Sequence, residues 1–286
     1  MRALAPYLVA GLVTGSIVVL PAITFSILYS ILRFPNFAVG AYMTLGAYIA
    51  LMLNRDAGWK IGASALAALV GVALFAVVVD WLTFRRMRRA RPLALLVTSI
   101  GVAFIAENAI RFVWGNELQS YDVPLTRSHV FGPLKINADE LWVMGVTITF
   151  LVFVHLLLRF TKIGKAMRAT ADNPDLASVR GIDTEKIITA TWILGGAMSG
   201  TAGVLLGLDS VISPLMGWNL LILVFAAAIL GGIGSVYGAM LGSLSIGLVA
   251  ELSSAFFPPS YKGAFGFAIM AVLLLFRPSG LLGTRT

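Results

Sequence analysis

TKIGKAMRATADNPDLASVRGIDTEK, residues 161–186, is a polar island in a chain rich in Leu, Val, Ala, Ile, Phe and Gly. Lys162, Lys165 and Arg168 recur at helical spacing, which sets three cations along one side of a short helix that should stop near Asp172. Asn173 then suits an N-cap, with Pro174 as the first helical residue, Asp175 in the positive first turn and Gly181 as a left-handed C-cap. Leu176 and Val179 share a face of that second helix. Asp183, with Thr184 and Glu185 behind it, reads as the start of a long helix. The two short helices are too short to be stable alone in water, so they need something to pack on.

The surrounding composition identifies the solvent. Of 286 residues, 59% are hydrophobic and 12% charged, about half the charge density of a soluble domain. A membrane helix needs about 20 apolar residues, and such stretches recur from end to end. The expectation is an all-α polytopic membrane protein of about 9–10 transmembrane segments, some broken or re-entrant, forming one domain over residues 1–286. The net charge of +8 is read as topology, because Lys and Arg of membrane proteins gather on the cytoplasmic side; it makes no case for nucleic acid. With no cysteine there is no disulfide, thiolate metal site or cysteine nucleophile. Apolar sequence continues after Arg2 through Leu32, longer than a cleaved signal peptide requires, and is read as a span.

Taken in order, the first apolar segment, 6–32, contains Pro21, where a kink or a break into two crossings is expected. Arg33-Phe34-Pro35-Asn36-Phe37 interrupts it before the second segment, 38–53, and such discontinuities often line a transport pathway. Further segments cover 61–82, 93–114, 141–160, 187–207, 220–230, 239–256 and 264–276. The basic turn 85–91 and the island 161–186 are predicted to be cytoplasmic, and the loop 115–140, with Asp122, Pro124, Gly132 and Pro133, extracytoplasmic. With nine crossings the N-terminus lies outside and 14 of the 21 Lys and Arg lie inside; dividing the first segment at Pro21 moves the N-terminus inside.

Ionisable residues within spans are functional candidates by default. Glu107 and Arg111 stand four apart in the favourable order and should pair. Asp80 is assigned to the Arg85 end of its helix, whereas Glu251 has no sequence partner and is a candidate for the pathway or a proton relay. His155 has no second His or any Cys at ligand spacing, so a packed ring is expected and no metal. Gly11 and Gly15, then Ser199, Gly203 and Gly207, then Gly238 and Gly242, recur at four-residue spacing, which in lipid lets helix backbones approach. Gly164-Lys165 lacks the rest of a P-loop, so the chain should not bind ATP itself. GGIGSVYG, 231–238, is read as a turn between spans, and Ser199 has no histidine after it to act as general base.

GKAMRATADNPDLASVRGID (164–183), followed by GGAMSGTAGVLLG (195–207), resembles the permease subunits of branched-chain amino-acid ABC importers of the LivH/LivM type. NFAVGAYMTLGAY (36–48), AAAILGGIGSVYGAMLG (226–242) and the ending RPSGLLG agree in order, so the resemblance spans nearly the whole chain and is closer to LivH. It implies a multi-pass subunit of the bacterial inner membrane that pairs with a second, LivM-like permease and two cytoplasmic ATPases, and receives substrate from an extracytoplasmic binding protein. ATP and Mg would be bound by the ATPases, none by this chain, and this chain would not be an enzyme. The resemblance also makes the island the ATPase-docking element, with Gly164, Arg168, Asn173, Ala177 and Gly181 matching the family pattern. The residues supply roles there: Lys162, Lys165 and Arg168 for electrostatic registration, Leu176 and Val179 as an apolar plug, Asn173 and Gly181 for shape.

The chain also departs from the family pattern. The NFAHGE form of the second segment has Val39 and Ala41 at its His and acid positions, and a common Asn-Pro is Ser213-Pro214. The candidate pathway residues are Asn36, Phe37, Gly40, Ser213 and Glu251, and the less polar route leaves branched-chain or other apolar amino acids, aromatic carboxylates, and urea or short amides open as substrates. The alternative from another class is a secondary carrier acting alone, coupled to protons through Glu251 or Glu107.

Overall fold

The computed structural model describes residues 4–123, 129–131 and 134–283; Arg2, Pro124, Gly132 and Pro133 lie outside the described residues. The helices are α1 (Ala5–Leu32), α2 (Ala38–Leu51), α3 (Ile61–Val79), α4 (Pro92–Trp114), α5 (Ala138–Phe160), α6 (Lys162–Asp172), α7 (Pro174–Val179), α8 (Thr184–Asp209), α9 (Met216–Gly231), α10 (Val236–Ser253) and α11 (Lys262–Phe276). One small antiparallel hairpin, β1 (His129–Phe131) with β2 (Leu134–Ile136), stands in the loop before α5. Tighter or wider turns prolong two helices: α2 runs on through a π-type turn, Met52–Asp56, and α3 through another, Asp80–Phe84, and a 3₁₀ turn, Arg85–Met87. Among the described residues, seven helices are long and apolar enough to cross a bilayer, and α2 and α9 are shorter apolar helices of 14 and 16 residues. The all-α polytopic class read from the sequence is therefore the observed one.

Pro21 does not break α1, which is continuous over 28 residues. The reason lies in its surroundings: every residue from Ser16 to Leu28 is buried, on all faces of the helix, so neighbouring helices hold the backbone that proline leaves without one hydrogen bond. The division of the first segment into two crossings is thereby overturned.

α1 and α8 form the centre, with α2, α9 and α10 packed on them and α3, α4, α5 and α11 outside. Lipid gives apolar helices no hydrophobic reason to associate, so close backbone approach supplies the packing energy. Gly11 and Gly15 of α1 face Gly247–Leu248 and Ser243–Leu244 of α10, Gly203 of α8 faces the Met43 backbone in α2, and Gly242 of α10 faces Ala227 in α9. The small-residue spacings are thus contacts within the chain.

Long-range hydrogen bonds sort the connections to two ends. At one, Arg33, itself left-handed (φ 58°), donates to the Ala171 carbonyl at 2.6 Å, and the amides of Leu281 and Leu282 donate to Leu230 and Gly231, each at 2.9 Å. The same end holds the basic turn, the island, and the α9–α10 turn, where Gly232 (φ 104°) and Gly234 (φ 85°) take conformations closed to most residues. At the other end the Gln119 and Ile212 backbones bond reciprocally at 2.8 and 2.9 Å, and the Asp122 amide donates to Asn54 Oδ1 at 2.7 Å. The basic end is the one that the positive-inside rule assigns to the cytoplasm.

Candidate functional site

The island folds back beneath α5 on a tight reversal. Thr161 Oγ1 accepts from the Gly164 amide at 3.0 Å, and Gly164 has no side chain where the Leu157 carbonyl and Leu158 Cα press against it. Arg168 donates to the Leu158 carbonyl, one of the acceptors that the end of α5 leaves without a helical partner. Gly164, Met167 and Thr170 therefore turn inward, while Lys162 and Lys165 stay exposed.

α7 is fixed at both ends. Asn173 Oδ1 accepts from the Leu176 amide at 2.9 Å, with Pro174 as the first helical residue. After Val179 the Gly181 amide donates to Ser178 at 2.9 Å and the Ile182 amide to Ala177 at 3.0 Å, a closure that requires the left-handed Gly181 (φ 83°). Asp183 Oδ1 caps α8 through the Lys186 amide at 3.2 Å; hydrogen bonds from Lys186 hold its carboxyl below the usual carboxylate range. Ala177 is buried against the bundle, and this leaves Leu176 55% and Val179 83% exposed on a short helix that cannot rearrange to hide them.

Next to the island, Arg88 bonds Asp80 at 2.8 Å and Glu185 at 3.4 Å, and Arg85 lies 3.6 Å from Glu185. Asp80 is thus held by the basic end of its own helix, through Arg88, which the π-type and 3₁₀ turns carry beyond Phe84. The network ties the end of α3 to the start of α8.

Four of the five pathway candidates gather where α2 and α9 begin. Asn36 Oδ1 accepts from the Ala38 amide at 3.0 Å, the Phe37 amide donates to Ser99 Oγ of α4 at 3.1 Å, and Gly40 meets Gly217 backbone to backbone. Thr44 Oγ1 accepts from the Gly217 amide at 3.1 Å, so a residue of α2 caps α9. The rings of Phe37, Trp218 and Phe225 adjoin the crossing, and Ser213 lies one turn before α9. Asn36 is 1% exposed and its Nδ2 has no hydrogen-bond partner among the described residues. Thr44, four residues after Gly40, was within reach of helical periodicity; Trp218 carries no such signal.

Glu251 does not join this group. Lys262 Nζ binds both its oxygens, at 2.6 and 2.7 Å, and Thr14 Oγ1 donates at 3.0 Å, so the acid stands paired between α1, α10 and α11. The partner was hidden from sequence reading because it lies beyond the Pro258-Pro259 turn. Glu107 and Arg111 pair as their spacing predicts. His155 Nδ1 lies 3.0 Å from the Tyr237 hydroxyl.

Two short apolar helices, α2 and α9, meeting inside a bundle of helices long enough to cross a bilayer define a multi-pass membrane protein. Residues 7–274 match the family described as branched-chain amino acid transport system / permease component, and the chain belongs to that family. It is 32% identical to the high-affinity branched-chain amino acid transport system permease protein LivH of Escherichia coli K12 over 96% of this chain and 93% of that one. Identity to the corresponding permease protein BraD of Pseudomonas aeruginosa is 33%, over 96% and 94%, and to the probable LivH of Methanocaldococcus jannaschii 30%, over 96% and 90%. Among solved structures, PsaBC from Streptococcus pneumoniae in complex with Fab shares the fold, with a TM-score of 0.52 and 14% identity over 94% of this chain and 91% of that one. The chain is accordingly a permease subunit of an ABC importer in the inner membrane; the relatives give no support to the carrier acting alone.

Proposed function

We propose that this permease imports branched-chain or other apolar amino acids, or related small carboxylates, as half of a pair with a second, LivM-like permease. Two cytoplasmic ATPases carry the ATP and Mg and perform hydrolysis, and an extracytoplasmic binding protein delivers the substrate. The substrate class comes from the names of the relatives and agrees with the apolar crossing of α2 and α9, where Asn36, Phe37, Gly40 and Ser213 border the route.

The observation that carries the reading is the exposure of Leu176 and Val179 on a helix capped at both ends. Apolar side chains held at water on a rigid element suit insertion into a partner's groove. In this assignment Lys162 and Lys165 steer the encounter, Arg168 and Gly164 seat α6 against α5, Ala177 seats α7, and Asn173 and Gly181 fix its shape. Replacing Leu176 and Val179 together by Glu should reduce co-purification of the ATPases at least tenfold, while the variant keeps the size-exclusion profile and melting temperature of the parent. Undiminished co-purification would remove α7 from the interface.

A further inference from the structure

α3 and α5 both pack on α8 but make no extended contact with each other, so a groove runs down the outward face of α8 between them. It opens on the side away from the α2–α9 crossing, since α1 and α2 stand between α8 and α9. Two cavities, of about 430 and 460 Å³, lie end to end along it and share Leu69 and Phe150. From Ala190 to Leu208 the groove covers roughly 27 Å of α8 at 1.5 Å per residue, close to the ~30 Å hydrocarbon thickness of a bilayer. One cavity therefore falls in each leaflet.

A hydrocarbon chain suits these almost wholly apolar, open clefts, and a second copy of the chain seated in them is the outcome that the test below separates. The inner cavity is walled by Phe153, Leu157, Ile163, Ala190, Ile193 and Ala197, and Thr149 is the one hydroxyl on its lining.

The two mouths differ in charge. Asp139 and the exposed Trp142 border the outer one. At the inner mouth Lys186 lies one turn before Ala190 on the same face of α8, its side chain 85% exposed, and the exposed Lys162 precedes Ile163. The basic turn at the end of α3 flanks them. Glu185 is already held by Arg85 and Arg88, and Asp183 by Lys186, whereas Arg86, Arg89 and Lys162 form no ion pair among the described residues. Such an excess of cation at the cytoplasmic headgroup level selects anionic lipid.

We propose that the inner half of the α3–α5 groove is a binding site for an anionic phospholipid of the cytoplasmic leaflet, one acyl chain lying along α8 from Ala197 to Ala190 and the phosphate beside Lys186, whose ammonium keeps donors beyond its exposed pair with Asp183. Lys162 and Ile163 lie on the island, but Lys186 and the α8 lining, on which the test rests, have no part in the ATPase contact proposed above.

The full-length chain in detergent is offered phosphatidylglycerol and phosphatidylcholine of identical acyl chains at equal concentration, and bound lipid is counted by native mass spectrometry. The parent should retain phosphatidylglycerol at least fivefold over phosphatidylcholine. Ala190→Phe, which fills the inner cavity, should cut phosphatidylglycerol retention at least fivefold. Lys186→Glu should bring the ratio of the two lipids near one, and Ala65→Phe in the outer cavity should change neither. Equal retention by the parent overturns the anionic assignment, and retention unmoved by Ala190→Phe overturns the site. A dimer of the chain that Ala190→Phe splits also overturns it, since a second copy would then fill the groove. Should Ala190→Phe fail to give a monodisperse protein, Lys186→Glu, changed at a water-exposed position, decides alone: an unaltered lipid preference contradicts the proposal.

Discussion

Glu251 and Lys262 show how an acid within a membrane span finds a partner on another helix. The carboxylate is nearly buried, both oxygens face one ammonium, and Thr14 donates a further hydrogen bond. Removing one partner of such a pair leaves the other desolvated and alone, which costs more than the pair contributes. Glu251→Ala should therefore lower stability by about 1–3 kcal/mol, read as a lower melting temperature in detergent, and adding Lys262→Ala should recover part of the loss. Substrate flux through the assembled importer should persist in Glu251→Gln. A Glu251→Gln protein with parental melting temperature and no flux would return this acid to the route.

At the scale of single elements, α7 depends on its caps far more than on its six residues. Asn173→Ala removes the acceptor of the Leu176 amide and should destabilise the helix by about 1 kcal/mol. Hydrogen exchange at Leu176 should then be about fivefold faster, with the protection of α8 unchanged; unaltered exchange would show that tertiary contacts, not the cap, hold α7. This element was legible in the sequence because Asn173, Pro174, Gly181 and Asp183 each act within three or four residues of themselves. The nine apolar segments were legible for a similar reason, since each carries its own length and hydropathy. What stayed hidden depends on registers and distances between elements. Arg88 reaches Asp80 only because wider and tighter turns interrupt α3, Pro21 is tolerated only because α1 is surrounded, and Glu251 meets its partner across a turn.

In the whole molecule, two opposite faces have different work. The α2–α9 crossing, with Asn36, Phe37, Gly40 and Ser213 near it, is where the proposed route would run. The α8 groove faces lipid. No local pattern announced the groove, because it exists only through the gap between α3 and α5, and both helices read as ordinary lipid-facing spans. The basic end joins these faces to the island proposed to dock the ATPases: the Asp80–Arg88–Glu185 network links α3 to α8, and Arg168 links the island to α5. A push on α7 has rigid elements through which to reach the bundle.

The absence of cysteine from the chain makes the docking claim directly measurable, because a single introduced thiol is unique in this subunit. Val179→Cys in the assembled transporter, treated with a short thiol-to-amine cross-linker, should form an adduct with the ATPase subunit. Phe112→Cys, on the lipid-facing surface where Phe112 is 91% exposed, should form none. An ATPase adduct at position 179 alone is the predicted result; a full complex in which Val179→Cys and Leu176→Cys both fail to cross-link to the ATPase would contradict the account.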